Sequence, residues 1–121
     1  MAFPGTYNIS YYKGDTLEFR IYPKDATGDP FPLADYGNTT FTISTARGTT
    51  GVADQVEAYA SISDDATHIL CAIRPADSTS LVAGTTYVYD VEISKSATPY
   101  PYTYTLLTGN INVTDQVTGA V

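Results

Sequence analysis

Between residues 16 and 22 the chain alternates two sets of side chains. Leu17, Phe19 and Ile21 fall on one face and Glu18, Arg20 and Tyr22 on the other. A period of two marks a strand with one face buried. The same alternation runs longer over residues 85–94, where Tyr87, Tyr89, Val91 and Ile93 interleave with Val88, Asp90 and Glu92. Phe41 and Ile43 supply the inward positions of a strand over 39–44. Residues 56–62 and 68–74 predict a hairpin across Ser63-Asp64-Asp65-Ala66. A first strand, expected at a sheet edge, covers 7–12 and is closed by the Lys13-Gly14-Asp15 turn. Residues 102–107 and 110–114 predict a returning strand, with Gly109 as a kink or bulge between its halves. No segment sustains a helical apolar stripe for three turns. Residues 75–81 suit a single helical turn, with Asp77 or Ser78 placed to cap it.

The intervening stretches read as turns. Residues 24–30 carry Gly28 and two aspartates. Pro30-Phe31-Pro32-Leu33 is too proline-rich for a central strand, because each proline removes a ladder donor, and is expected to cover a sheet edge or cross between sheets. Residues 46–54 predict a surface loop, and Ala97-Thr98-Pro99-Tyr100-Pro101 a hairpin tip. Leu81-Val82-Ala83-Gly84-Thr85-Thr86-Tyr87 resembles the tyrosine corner of immunoglobulin-like and fibronectin-type sandwiches, in which a tyrosine hydroxyl reaches back to the backbone. Short strands separated by turn signals predict an all-β fold: an immunoglobulin-like antiparallel β-sandwich of about seven to eight short strands. One domain is expected over 1–121, with its core over about 7–115 and short terminal arms.

Composition agrees. The chain has 11 Tyr, no Trp and many threonines, and tyrosine and threonine favour pleated, half-buried surfaces. Thirteen acidic residues against six basic ones give a net charge of −7. Nucleic-acid binding needs clustered Lys and Arg to neutralise phosphates. Nucleic acid and anionic membrane are therefore not expected partners, and the charge serves solubility. Cys71, the only cysteine, lies in the apolar run from His68 to Ile73 and is expected to be a buried, inert thiol. Met1-Ala2-Phe3-Pro4-Gly5 has neither the basic nor the apolar region of a secretion signal, and no run reaches transmembrane length.

Candidate catalytic groups are few. His68 is the only histidine, so any Ser-His-Asp arrangement must use it, yet aspartates such as Asp64 and Asp65 beside a strand-entry histidine are commonplace in turns. His68 and Cys71, three apart on one strand, point to opposite faces. One His and one buried Cys cannot close a zinc site. Asp25 and Asp29 lack the spacing of a calcium loop. Nothing places two of Glu57, Asp64, Asp65, Asp90 and Glu92 across a cleft. The expectation is a protein without enzymatic activity, cofactor or metal. Surface recognition remains. Pro99, Tyr100, Pro101 and Tyr102 join stiff prolines to aromatic rings and give contact area at low entropy cost. They are the candidate protein or glycan contact, although the same residues also serve to hold a turn. The apolar ends, Met1 to Gly5 and Gly119-Ala120-Val121, read either as disordered ends or as arms docking on a neighbouring subunit.

Four motifs together resemble a bacteriophage virion domain. Lys13-Gly14-Asp15-Thr16-Leu17-Glu18-Phe19 is similar to the opening of the immunoglobulin-like N-terminal domain of phage baseplate upper proteins and related tail proteins. Asp29-Pro30-Phe31-Pro32-Leu33, followed by Phe41-Thr42-Ile43, resembles that family's second turn and strand. Tyr87-Val88-Tyr89-Asp90-Val91-Glu92-Ile93 resembles its long central strand, and the run from Tyr104 to Thr114 its closing strand. The resemblance spans about residues 10–118. It implies a structural, non-enzymatic virion protein of a tailed phage, assembled in the host bacterial cytoplasm. Such a protein would be present in many copies or as a homo-oligomer, bound to other virion proteins of the capsid, tail or baseplate. A tail or baseplate accessory role and a capsid decoration role both suit an acidic chain of this size, because small immunoglobulin-like proteins also decorate phage heads. Edge-strand addition through residues 7–12 or 110–121 is the expected mode of contact. A carbohydrate- or receptor-binding module on the virion is the alternative.

Overall fold

The computed structural model describes residues 4–47 and 55–115. The protein is all-β, with eight strands among the described residues in one mixed, curled sheet. The strands are β1 (Gly5–Thr6), β2 (Ile9–Tyr12), β3 (Leu17–Ile21), β4 (Asn38–Ser44), β5 (Val56–Ile62), β6 (Ile69–Ile73), β7 (Thr86–Lys95) and β8 (Tyr102–Thr114), with a 3-10 turn over Asp77–Ser80 between β6 and β7. Their spatial order is β1-β8-β7-β4-β5-β6-β3, and β2 also pairs with β8. No helix among the described residues is long and apolar enough to cross a membrane. The expected terminal arms at 1–3 and 116–121, and most of the expected surface loop at 46–54, lie outside the described residues.

The periodic strands form where alternation demands. Phe41 and Ile43 on β4 and Tyr87, Tyr89, Val91 and Ile93 on β7 are all buried, as are Ile69, Cys71 and Ile73 on β6. Their side chains meet because the sheet curls. β5 pairs with β4 through Val56, Glu57 and Ala58, then turns to pair with β6 through Tyr59 to Ile62. β6 and β3 are thereby carried over the face of β4 and β7. The ring of Phe19 on β3 then lies 5.6 Å from Phe41 and 6.5 Å from Tyr89, edge-to-face. Such aromatic pairs add about 0.5–1.5 kcal/mol each beyond their buried area.

Pairing is mixed rather than purely antiparallel, which corrects the sequence expectation. β1 and β2 both run parallel to β8, with Gly5 opposite Leu107 and Ile9 opposite Ile111. The strand expected over 7–12 begins only at Ile9, and a separate short strand, β1, precedes the point where Tyr7 and Asn8 cross β8. That crossing also revises the reading of Gly109. The register of β7 against β8 shifts between Val91 and Glu92, whose partners are Leu107 and Thr105. Leu106, not Gly109, is therefore the bulged residue. Gly109 stays in register opposite Tyr89 and is glycine for a different reason: a Cβ there would sit 2.0 Å from the Tyr7 carbonyl oxygen. Around this crossing the Tyr7 N–H donates to Thr108 O (3.0 Å), the Tyr89 hydroxyl donates to Tyr7 O (2.5 Å), and the Asn110 N–H donates to Asn8 Oδ1 (3.1 Å). Residues 110–114 have β7 on one side and β2 on the other. They offer no open edge, so strand addition through that stretch is excluded, whereas β2 keeps one side free among the described residues.

Tyrosine hydroxyls fasten the turns. The Val82 N–H donates to the Tyr87 hydroxyl at 2.8 Å, the tie expected from the spacing of Gly84 and Tyr87. Tyr11, 1 % exposed, donates to Asp15 O at 2.7 Å. The 3-10 turn is held differently from the expected cap. Ala76 occupies the N-cap and makes no side-chain cap, while the Asp77 carboxylate accepts from the backbone N–H and the guanidinium of Arg74 at 2.9–3.0 Å. Ser78 Oγ donates to Pro75 O and accepts from the Gly14 N–H, which ties the turn to the β2–β3 connection.

Candidate contact site

β7 and β8 continue past the core as a long hairpin whose inner face is aromatic. Thr103 pairs with Ser94, Tyr104 with Ile93, and Tyr102 with Lys95. Period two therefore places Tyr102, Tyr104, Ile93 and Lys95 on the inner side, and Thr103, Thr105, Ser94 and Glu92 on the outer side. Beyond Tyr102 lies the expected tip, where the Thr98–Pro99 peptide bond is cis and Pro99, Tyr100 and Pro101 are exposed.

The tip rings stand at the head of a ladder. Tyr100 packs edge-on against Tyr102 at 5.6 Å. Tyr102 stacks on Tyr104 at 6.5 Å with 15° between the planes. Tyr104 meets Tyr36 and Phe31 at 6.2 and 5.8 Å. Phe31 and Tyr36 come from the β3–β4 connection, so Pro30-Phe31-Pro32-Leu33 does cover the sheet, with Leu33 buried beneath it. The Lys95 ammonium lies over Tyr36 (4.8 Å) and Tyr102 (5.3 Å), cation–π contacts of about 0.5–1 kcal/mol each at exposed sites. Desolvation raises the Tyr36 hydroxyl above its ordinary pKa, and neighbouring Tyr104 and Asp35 add to the rise. It stays neutral beside Lys95. The ladder ends in solvent at Tyr100, 59 % exposed, and Tyr102, 37 % exposed.

All four expected contact residues thus sit together at one end of the molecule. Sequence reasoning missed the support behind them: Tyr104, Tyr36, Phe31 and Lys95. The available signal was the continued alternation Tyr100, Tyr102, Tyr104. Two clefts open beside the hairpin base, of about 340 and 380 Å³, and both are lined by Asn38 and Thr39. Ser61 joins the first, and Thr40, Glu92, Ser94 and Thr103 the second.

His68, Asp65, Cys71 and Asp25 lie outside the tyrosine ladder. His68 Nδ1 lies 3.1 Å from Thr67 Oγ1, and its ring packs 5.0 Å from Tyr22. Asp65 accepts from Ser63 and Thr67, which holds its carboxyl below the usual range. Cys71 is fully buried, and desolvation pushes its thiol up to about 12, away from the thiolate a nucleophile needs. Asp25 accepts from Thr27 and from the Asp29 N–H, an Asx-type turn. Among the described residues, no three His, Cys, Asp or Glu side chains group as metal ligands. On the outer face of the sheet Arg47 reaches Asp90 at 2.7 Å and Thr108 Oγ1 at 2.6 Å, bracing β7 and β8. No protein-family model matches the chain, and no curated protein does so either.

Proposed function

We propose that this protein is a structural, non-enzymatic component of a tailed-phage particle, which attaches to neighbouring virion proteins through the aromatic end of its β7–β8 hairpin. The observation that carries the reading is the Tyr100–Tyr102 pair. Two rings are held out in solvent by a ladder that anchors them to the core, with the Lys95 ammonium over Tyr102 and Tyr36. Exposed tyrosines on rigid support bring large contact area at little entropy cost, the property expected of a recognition surface. The virion assignment rests on the resemblance of residues 13–19, 29–33, 87–93 and 104–114 to the phage domain. Head decoration and tail or baseplate attachment are both compatible with it.

Quantitative mass spectrometry of purified particles tests the reading. The chain is expected in many copies per particle, and Tyr100→Ala with Tyr102→Ala is expected to reduce that occupancy without unfolding the protein. Particles that lack the chain would overturn the assignment. One observation favours a second reading, a glycan-binding module on the virion: the cleft lined by Asn38, Thr39 and Ser61 also takes in Tyr36 of the tyrosine ladder, and hydroxyl and amide groups beside an aromatic ring suit a sugar. Glycan-array binding by the isolated protein that is lost on Tyr100→Ala would favour it over attachment to protein.

A further inference from the structure

β3 ends the sheet at the side opposite β1, and among the described residues only β6 pairs with it. Its inward side chains Leu17, Phe19 and Ile21 are only partly buried, whereas their partners Ile73, Cys71 and Ile69 on β6 are fully buried. The core is therefore unfinished at this margin, and the outer side of the β3 backbone has no ladder. An exposed strand edge of this kind is a template for another strand.

The sequence of β3 specifies which strand. Leu17-Glu18-Phe19-Arg20-Ile21 is self-complementary when reversed about Phe19. In an antiparallel pair of two such strands, Glu18 of one copy faces Arg20 of the other, and Arg20 faces Glu18. On the inner side Leu17 faces Ile21, and the two Phe19 residues meet at the two-fold axis. Opposite charges directly across a strand pair stabilise it and like charges oppose it. Glu18 and Arg20 are both exposed, and neither makes an ion pair in the monomer among the described residues. The strands at the opposite margin lack this property: neither Gly5-Thr6 of β1 nor Ile9-Ser10-Tyr11-Tyr12 of β2 carries a charge to match. We infer that two copies of this chain associate through antiparallel β3–β3 pairing, with reciprocal Glu18–Arg20 ion pairs, into a two-fold dimer with one sheet running through both. The interface is isologous and closes on itself. It does not depend on the proposed role in a particle.

A five-residue ladder falls short of the roughly 1,200 Å² of a stable interface, so the dimer is expected to be weak and to dissociate on dilution and with added salt. Sedimentation velocity over a concentration series to about 1 mM reads it directly. Glu18→Arg places arginines face to face, and Arg20→Glu places glutamates face to face. Each is expected to weaken dimerisation about tenfold or more, with thermal unfolding of the monomer unchanged. Glu18→Arg combined with Arg20→Glu restores opposite charges and is expected to return the dissociation constant to within about threefold of the parent. A parent chain that stays monomeric at the highest concentration overturns the inference. So does a dimer that both single reversals leave intact, or one that the double reversal fails to restore.

Discussion

Gly109→Ala is the sharpest probe of how the two ends of the chain are joined. The added methyl would meet the Tyr7 carbonyl oxygen at 2.0 Å and its carbon at 2.8 Å, and both are backbone atoms. Relief at ordinary van der Waals separation (about 3.5 Å) requires the 7–8 crossing to lift by more than an ångström. That displacement breaks the Tyr89 hydroxyl bond to Tyr7 O and strains the bonds from Tyr7 N to Thr108 O and from Asn110 N to Asn8 Oδ1. A buried hydroxyl left unsatisfied costs about 1–3 kcal/mol and each further bond about 1 kcal/mol, for a total of roughly 3–5 kcal/mol. Urea unfolding followed by tyrosine fluorescence measures the loss. Tyr89→Phe removes only the hydroxyl and is expected to cost about 1–2 kcal/mol. Because both changes act through one carbonyl, the double variant should lose less than the sum by at least about 0.5 kcal/mol. If Gly109→Ala unfolds within about 0.5 kcal/mol of the parent, the close approach of Tyr7 does not exist as described.

Three further outcomes are expected. Tyr87→Phe deprives the Val82 N–H of its acceptor and should destabilise by about 1–2 kcal/mol, with faster amide exchange at Val82 while Leu81 stays protected. Asp77 is partly desolvated, which raises its pKa, but the Arg74 bonds outweigh that and hold it below the ordinary carboxylate value of 3.8. Its stabilisation is therefore complete above the unfolded pKa and lost as pH falls through the folded one, so Asp77→Asn should flatten the acid limb of a stability–pH curve below about pH 4. Cys71, buried with its thiol pushed up to about 12, should react with Ellman's reagent at neutral pH only at the rate of unfolding, and promptly in denaturant.

Much of the sheet is legible in the order of residues, because each strand with one buried face writes its own alternation. β3, β4 and β7 could each be placed along the chain from the alternation around Phe19, Phe41 and Tyr89. The tyrosine corner was legible because a glycine turn and Tyr87 lie close together in sequence. What could not be read is what depends on distant partners. Nothing local to Ile9 or Tyr11 says that they run parallel to β8, a pairing made across a hundred residues. Gly109 carries the same signal whether it permits a bulge or a crossing chain, and only the position of Tyr7 decides. The tip residues Pro99, Tyr100, Pro101 and Tyr102 were visible as a cluster. Their anchoring was not, since Tyr36 and Phe31 arrive from a connection sixty residues earlier and Lys95 is placed by register.

The parallel clasp of β1 and β2 on β8 sets the order in which this protein can be made. Residues 5–12 leave the ribosome about a hundred residues ahead of their hydrogen-bonding partners at 107–114. Until then the inward side of Tyr11 and the hydroxyl of Tyr89 have no destination. A nascent chain can assemble the β5–β6 hairpin early, but the loop that closes the sheet spans nearly the whole sequence. Non-local closure of this kind makes folding slow and leaves the leading strand exposed to other chains throughout synthesis.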